Sequence, residues 1–283
     1  MDITLALGGG GIRGVAHLGV IQALEKKGFQ VKAVAGTSAG GVVAAVYAAG
    51  WSPGEIIEEF TKVDQDRLFS FRANQQLLGS RTLLGNEHIR KMLGTFIQRE
   101  TFRDLHIPCA LTAVDMTSLE EVILQEGPVI DAVLATIAIP GVFPPQARGN
   151  SYLVDGGVLD PVPVAAARSL APELPVVVVS ISPPPERWQK MRTMDKVIDT
   201  PMLSALSNLG VGQAINFSVR SIEIMSHRLA EAQLQAEQPA AVIQPDVADI
   251  GMLDKVDVAE TVGRGEQAVR EARAALDKIQ GDH

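Results

Sequence analysis

Cysteine is almost missing from this chain. Cys109 stands alone in 283 residues, so no internal disulfide can form and packing must hold the fold. It falls in an apolar strand pattern and is expected in the core, not as a catalytic thiol. Long apolar runs are absent as well, and none reaches the roughly 18–20 residues that span a bilayer. The start, Met1-Asp2-Ile3-Thr4, runs straight into a strand pattern without a basic region, so no signal peptide is expected there. Together these absences point to a reducing cytoplasm, with peripheral contact at the inner membrane face as the outer limit. Positive charge is in deficit: 25 Lys and Arg against 33 Asp and Glu leave a net charge of −8. That balance gives no general attraction to nucleic acid or anionic lipid, and no nucleic-acid partner is expected. The short cluster Arg187, Lys190, Arg192 and Lys196 reads as a solvated helix face. No metal is expected, because no ligand cluster appears.

What is present is ample core material: 46% of residues are hydrophobic and 20% charged. Apolar strand patterns recur at 3–7, 31–35, 109–114, 121–124, 152–154, 175–181 and 240–244, several separated by helical periodicity. Val176-Val177-Val178-Val179 reads as a strand buried on both faces, as parallel strands are. The expected architecture is one α/β domain of three layers over residues 1–283. A mostly parallel sheet carries helices on both faces; residues 3–165 hold the core and 186–283 form a mainly helical part packed upon it. Pro183-Pro184-Pro185 reads as a stiff change of layer. Residues 201–237 have helix-like spacing. A last helix should begin at Asp257 with Glu260 as a capping box, its stripe running through 258, 262, 265, 269, 272, 276 and 279.

The chemistry gathers at the second strand. Gly36-Thr37-Ser38-Ala39-Gly40 stands between that strand and a helix of small residues closed by Gly50. A serine hydroxyl is a poor nucleophile until a tight turn lifts it clear and a base sits beside it. In the G-x-S-x-G pattern, Gly36 and Gly40 let strand and helix crowd around Ser38. Upstream, Gly8-Gly9-Gly10-Gly11-Ile12-Arg13-Gly14 follows the first strand and opens the first helix, leaving backbone N–H groups free to meet negative charge. Two readings compete there. Gly9, Gly11 and Gly14 satisfy the dinucleotide pattern, but the second strand ends in Gly36-Thr37-Ser38, where a ribose-binding carboxylate would be needed. The favoured reading is an anion hole for the oxygen formed when Ser38 attacks an acyl carbon. A phosphate P-loop is excluded, since no Gly-Lys-Ser or Gly-Lys-Thr follows.

A base is then required, and the histidines do not offer one. His17 is expected on the surface of the first helix, and His106 lies in a loop before a strand. His88 and His227 fall in polar helical stretches expected to face solvent, and His283 ends the chain. Asp155 is better placed, ending an apolar strand in Tyr152-Leu153-Val154-Asp155-Gly156-Gly157. By itself Asp-Gly-Gly reads as a plain turn; beside the serine elbow and the glycine loop it becomes the candidate base. Asp115 and Asp160 are weighed and set behind it as turn residues.

In combination these motifs resemble the patatin-like phospholipases, lipid acyl hydrolases with a Ser–Asp dyad. The glycine loop from Gly9 to Gly14, the elbow from Gly36 to Gly40, and Asp155-Gly156-Gly157 occur in the family's order. Residues 135–145, with Pro140, Pro144 and Pro145, match the Pro-rich stretch before the aspartate, and Thr136 stands where several members have Ser. The resemblance covers about residues 3–165. It implies Ser38 as nucleophile, Asp155 as general base, an oxyanion hole from Gly9, Gly10 and Gly11, and Arg13 as an anchor for an anionic head group. It also implies a lipid or acyl-ester substrate without metal or organic cofactor. A regulatory or scaffolding protein that keeps the fold and acts through a partner is the alternative. Residues 51–102, with Trp51, Phe60 and several leucines, read either as helices covering the sheet or as a flap that meets lipid.

Overall fold

The computed structural model of the chain describes residues 1–65, 87–98, 100–183, 187 and 211–281, with helix side chains from 89 and 217 onward in the last two stretches of that kind. Strand β1 (Asp2–Leu7) leads through a 3-10 turn (Gly11–Val15) to α1 (Ala16–Lys26), then β2 (Gln30–Gly36) and α2 (Ala39–Ala48). Next come α3 (Pro53–Thr61), α4 (Glu87–Phe96), β3 (Cys109–Asp115), β4 (Glu120–Leu124) and α5 (Val129–Thr136). The chain continues through β5 (Gln146–Arg148), β6 (Ser151–Asp155), α6 (Val164–Leu170), β7 (Val176–Val179), α7 (Val211–Glu237) and β8 (Ala241–Ile243). It closes with α8 (Val258–Glu271) and α9 (Arg273–Gly281).

The eight strands form one mixed sheet. β8, β7, β1, β2 and β3 pair in parallel, while β4, β5 and β6 join by antiparallel pairing. The expected strands are all present, but the sheet is less parallel than expected. One strand, β5, was not anticipated: Gln146-Ala147-Arg148 is largely exposed and has no apolar pattern, only the Gly149-Asn150 hairpin turn beside it.

Register decides where the site falls. Leu111 pairs with Gly36 of β2 and with Leu124 of β4, so β2 and β4 lie on opposite edges of β3. Residues 113–115 pair with both β4 and β6, so those two are opposed as well. β2 and β6 therefore share one edge of β3 and run toward each other, their C-terminal ends meeting at Thr112.

Alternation of side chains builds two cores on the faces of the sheet. Leu5, Leu7, Val34, Leu111, Val177 and Val179 face a large core with α1, α2, α5 and α8. Ala6, Ala35, Ala110, Val176 and Val178 face a smaller one with α6 and Ala230 of α7. Val176–Val179 is buried on both sides, as expected. Helix α1 is buried almost all round because α8 covers the side turned away from the sheet. Gly19 and Gly265 make that crossing close: a Cβ on Gly19 would strike the Val262 carbonyl, and one on Gly265 the carbonyl of Ala16.

The C-terminal helix departs from expectation in two ways. It breaks at Ala272 into α8 and α9. Asp257 caps it by accepting from the Glu260 N–H at 2.9 Å, but the Glu260 carboxylate binds Arg264 at 2.8 Å and does not return to the cap. In the 51–102 segment, α3 and α4 cover the body: Ile56, Ile89, Leu93 and Phe96 are buried, and Trp51 meets the Phe96 ring edge-on at 5.0 Å. Its leucine-rich middle, 66–86, lies outside the described residues, as do Pro184, Pro185, Gly210, Lys190, Arg192 and Lys196. Arg187 is described, 3.7 Å from Asp246 and 3.9 Å from Glu271. Among the described residues no helix is long and apolar enough to cross a membrane.

The helix crossing yields a stability prediction. Gly19→Ala is expected to lower the unfolding free energy by about 1–3 kcal/mol through overpacking. A denaturant midpoint equal to that of the unaltered protein would show that α1 and α8 do not touch there.

Candidate active site

Ser38 sits at the junction of β2 and α2 with φ 54° and ψ −124°, a strained backbone for a residue with a Cβ. Two glycines make the turn feasible. A Cβ on Gly36 would strike Gly40, and one on Gly40 would strike the carbonyl of Leu7. The Ser38 N–H donates to Thr136 Oγ1 at 2.9 Å. A serine there would offer the same acceptor, which accounts for the exchange of Thr and Ser at that position.

Asp155 ends β6 opposite Ala113, so the head-to-head meeting of the strands brings its carboxyl to the elbow. Ser38 Oγ donates to Asp155 Oδ2 at 2.6 Å, a short and buried bond; the two residues are 6% and 4% exposed. The Gly157 N–H donates to Asp155 Oδ1 at 2.7 Å and fixes the carboxyl plane. Behind them Thr37 Oγ1 contacts Thr112 Oγ1 at 2.7 Å and donates to the Asp160 carbonyl at 2.8 Å, locking the two strand ends together. A Cβ on Gly156 would strike Thr112, so that contact also requires a glycine. Burial pushes the Asp155 carboxyl up to about 7, against the opposing effect of the Ser38 hydroxyl and the Gly157 N–H.

The glycine loop is only partly open. Gly8, Gly9 and Ile12 donate their N–H groups to the carbonyls of Val179, Pro161 and Met252, each at 2.9 Å. Gly9 therefore falls out of the expected oxyanion hole. A dinucleotide cradle would lose the same Gly9 and Ile12 donors. The amides of Gly10 and Gly11 come next, at the start of the 3-10 turn, where helix geometry supplies no acceptor. Their φ values of 155° and 65° suit glycine.

Arg13 does not occupy the position expected of a head-group anchor. It is 1% exposed, with Nε donating to the Gly10 carbonyl at 2.9 Å and Nη2 to Glu223 Oε1 at 2.7 Å. Its charge is used inside the protein to brace the glycine loop against α7. Gly14 meets Ala39 of the elbow, where a Cβ would be crowded by the alanine methyl.

The histidines also differ from expectation. His17 is fully buried, its Nε2 2.8 Å from the Gly8 carbonyl, and burial lowers its pKa to about 4. His227 is buried as well, at 6% exposure, on the inward face of α7. Sequence periodicity missed both: α8 and the glycine loop cover a face of α1 that a single-sided helix would leave in water, and α7 turns the face bearing His227 onto the turn that follows Asp155. Asp115 caps a turn, accepting from the Thr117 N–H at 2.7 Å, and Asp160 is a buried turn residue. Cys109 is buried in the core, and burial raises its thiol pKa. His106 is exposed beside α2, while the His88 side chain and His283 lie outside the described residues. Among the described residues no group of His, Cys, Asp or Glu could hold a metal ion.

Two cavities meet at Ser38. An apolar one of about 150 Å³ runs between α1, α2 and α4, lined by Val15, Leu18, Val42, Val46, Phe60, Leu93, Phe96, Ile139 and Phe143 among others. A smaller one of about 40 Å³ lies toward α7; its wall is mostly apolar, with Asp155, Ser182, Ser226 and His227 among its polar residues.

The family model of the patatin-like phospholipases matches residues 5–168, more than half of the chain and all three motifs. The chain belongs to the patatin-like phospholipase family. Relatives agree with that assignment. An uncharacterised NTE family protein of Mycobacterium tuberculosis is 35% identical over 178 residues, covering 62% of this chain and 48% of the relative. A second from the same organism is 29% identical over 97% of this chain and 46% of its own length. The lysophospholipase NTE1 of Saccharomyces cerevisiae is 32% identical over 59% of this chain and 10% of its own. This patatin-like chain thus spans about half the length, or less, of the curated relatives it matches. Its fold resembles the crystal structure of VipD from Legionella pneumophila, with a TM-score of 0.58 and 15% identity, over 98% of this chain and 67% of VipD.

A buried acid whose pKa is raised on folding should cost stability as it ionises. In the folded protein Asp155 titrates near 7, above its unfolded value near 4. Between those values the folded state binds more protons, so stability falls as pH rises through that window and stays low above it. Asp155→Asn removes the penalty. Its unfolding free energy is expected to exceed that of the unaltered protein at pH 8, by on the order of 4 kcal/mol at most, with a correspondingly higher Tm, and to match it more nearly at pH 5. Equal differences at both pH values would contradict a buried, ionising carboxyl.

Proposed function

We propose that this protein is a serine acyl hydrolase that cleaves lipid-like acyl esters through a Ser38–Asp155 dyad and an acyl-enzyme. The observation that carries the reading is the 2.6 Å bond from Ser38 Oγ to a buried carboxylate, with Ser38 lining an apolar cavity. As Ser38 attacks the ester carbon, its proton passes to Asp155, and the tetrahedral oxygen takes its negative charge toward the amides of Gly10 and Gly11. Asp155 then returns the proton to the departing alcohol. The acyl group remains on Ser38 with its chain in the apolar cavity, and water releases it as a carboxylic acid.

A carboxylate is ordinarily too weak a base for a serine hydroxyl, and a pKa near 7 narrows that gap. Family membership and the cavity lining support a lipid substrate. The yeast relative bears the name of a lysophospholipase, which makes a phospholipid or lysophospholipid the first substrate to try.

Ser38→Ala is expected to abolish hydrolysis of p-nitrophenyl acyl esters and labelling by a fluorophosphonate. Asp155→Asn should fold and lose roughly 10³-fold or more in kcat/KM; turnover by either variant at the unaltered rate would remove the dyad. In the unaltered protein, kcat/KM should climb about tenfold per pH unit below 7 and level off above it, because the base must be ionised. A flat profile from pH 5 to 9 would exclude Asp155 as that base. In a series of esters of increasing chain length, longer acyl chains should raise kcat/KM as they fill the cavity.

A further inference from the structure

Along α7 the buried positions Val219, Glu223, His227 and Ala230 follow at three- and four-residue steps, so one helix face turns two ionisable groups inward. Glu223 is fully answered, accepting from Arg13 and Arg220 at 2.7 Å each. His227 is not. Neither of its ring nitrogens has a hydrogen-bond partner among the described residues. Glu223 Oε1 stands 3.7 Å from Nε2, beyond hydrogen-bond reach. Buried polar groups rarely stay unpartnered unless something outside the protein completes them. The smaller cavity is that space: His227 lines it together with Ser38 and Asp155. Its volume of about 40 Å³ leaves room for about three waters, at roughly 10–15 Å³ of such space each. The Ser226 hydroxyl donates to the Gly157 carbonyl at 2.9 Å, pinning this part of α7 to the turn that carries Asp155.

We propose that His227 holds the water that hydrolyses the acyl-enzyme, so that this water donates one O–H to Asp155 and the other to the imidazole. The role rests on the Ser38–Asp155 reading. In that step the water oxygen bonds to the acyl carbon as one of its protons passes to Asp155. The tetrahedral intermediate then breaks its bond to Ser38 Oγ, which takes the same proton back, and a carboxylic acid leaves. His227 exchanges no proton; it directs the attacking lone pair. Burial keeps the ring neutral, with Glu223 opposing that effect and Arg13 and Arg220 reinforcing it, so one nitrogen remains an acceptor. The tautomer with its N–H toward Glu223 leaves Nδ1 free for the water.

The test compares the unaltered protein with His227→Leu and His227→Gln on a p-nitrophenyl acyl ester, with fluorophosphonate labelling and intact mass as further readouts. His227→Leu should label at Ser38 at the unaltered rate. It should release one equivalent of p-nitrophenol in a burst, then turn over about tenfold more slowly as one water contact is lost, with acylated protein accumulating. The amide oxygen of His227→Gln can accept from the water and should restore much of the steady rate. Because an unpartnered imidazole is removed, His227→Leu should not lower Tm; His227→Phe, closer to the ring in shape, gives the same reading if Leu unfolds the protein. Burst and steady rates falling in equal proportion, or turnover unchanged in all three variants, would overturn the role of His227. Failure of the unaltered protein both to label and to turn over would instead bring down the hydrolase reading, and this inference with it.

Discussion

Two strands pointing at each other along one edge of a third are the constraint from which the rest of this site follows. A parallel β2 and an antiparallel β6 both terminate against Thr112 of β3, so the serine elbow and the aspartate turn have nowhere to go except into contact. The hydroxyl pair Thr37–Thr112 and the glycine at 156 close the junction. Only then does the 2.6 Å bond between Ser38 and Asp155 form without a loop to carry either residue. Groups placed by sheet register are held more tightly than groups placed by loops, which suits a reaction that depends on a proton moving a fraction of an ångström.

The same junction is energetically awkward. Ser38 has a backbone conformation that side chains disfavour, and Asp155 is an acid held away from water with two hydrogen bonds to it. Neither feature serves stability. Both persist because the surrounding sheet is buried on two faces and overdetermines the positions of its strand ends. Strain at Ser38 and desolvation at Asp155 are local costs offset by packing elsewhere, in keeping with the catalytic roles proposed for them.

The sequence made the motif-bearing half legible because each motif there encodes backbone geometry. Glycine spacing around Ser38 and after Asp155 reports close approach, and apolar runs report buried strands. Single-sequence patterns say little about what a helix meets on its second side. His17 looked surface-bound because it lies beside the apolar stripe of α1, and His227 because its stretch is polar, yet both are buried. Arg13 looked like a substrate contact because the family resemblance implied a head-group anchor there; its partner, Glu223, lies 210 residues away and gave no local sign. The clue available was an inward helical stripe with Glu and His four residues apart, chemistry that a purely structural face would not choose.

The distribution of these partners bears on what the matched family region leaves unfinished. Residues 5–168 contain Ser38, Asp155 and the glycine loop, but the loop is shaped from beyond that region. Met252 accepts from Ile12 and lies where a Cβ on Gly11 would be, so the remaining open donors are those of Gly10 and Gly11. Glu223 holds Arg13, which in turn holds the Gly10 carbonyl and thereby orients the peptide whose N–H belongs to Gly11. In the proposed mechanism the anion hole is thus set by a relay from α7 through a buried ion pair to one peptide plane. Breaking a buried pair from one side leaves an uncompensated charge, so a change at Glu223 should reach the reacting carbon through the tilt of that peptide without touching substrate. Relatives that share the three motifs but build their C-terminal part differently would then differ in how well the oxyanion is held, with nucleophile and base unchanged.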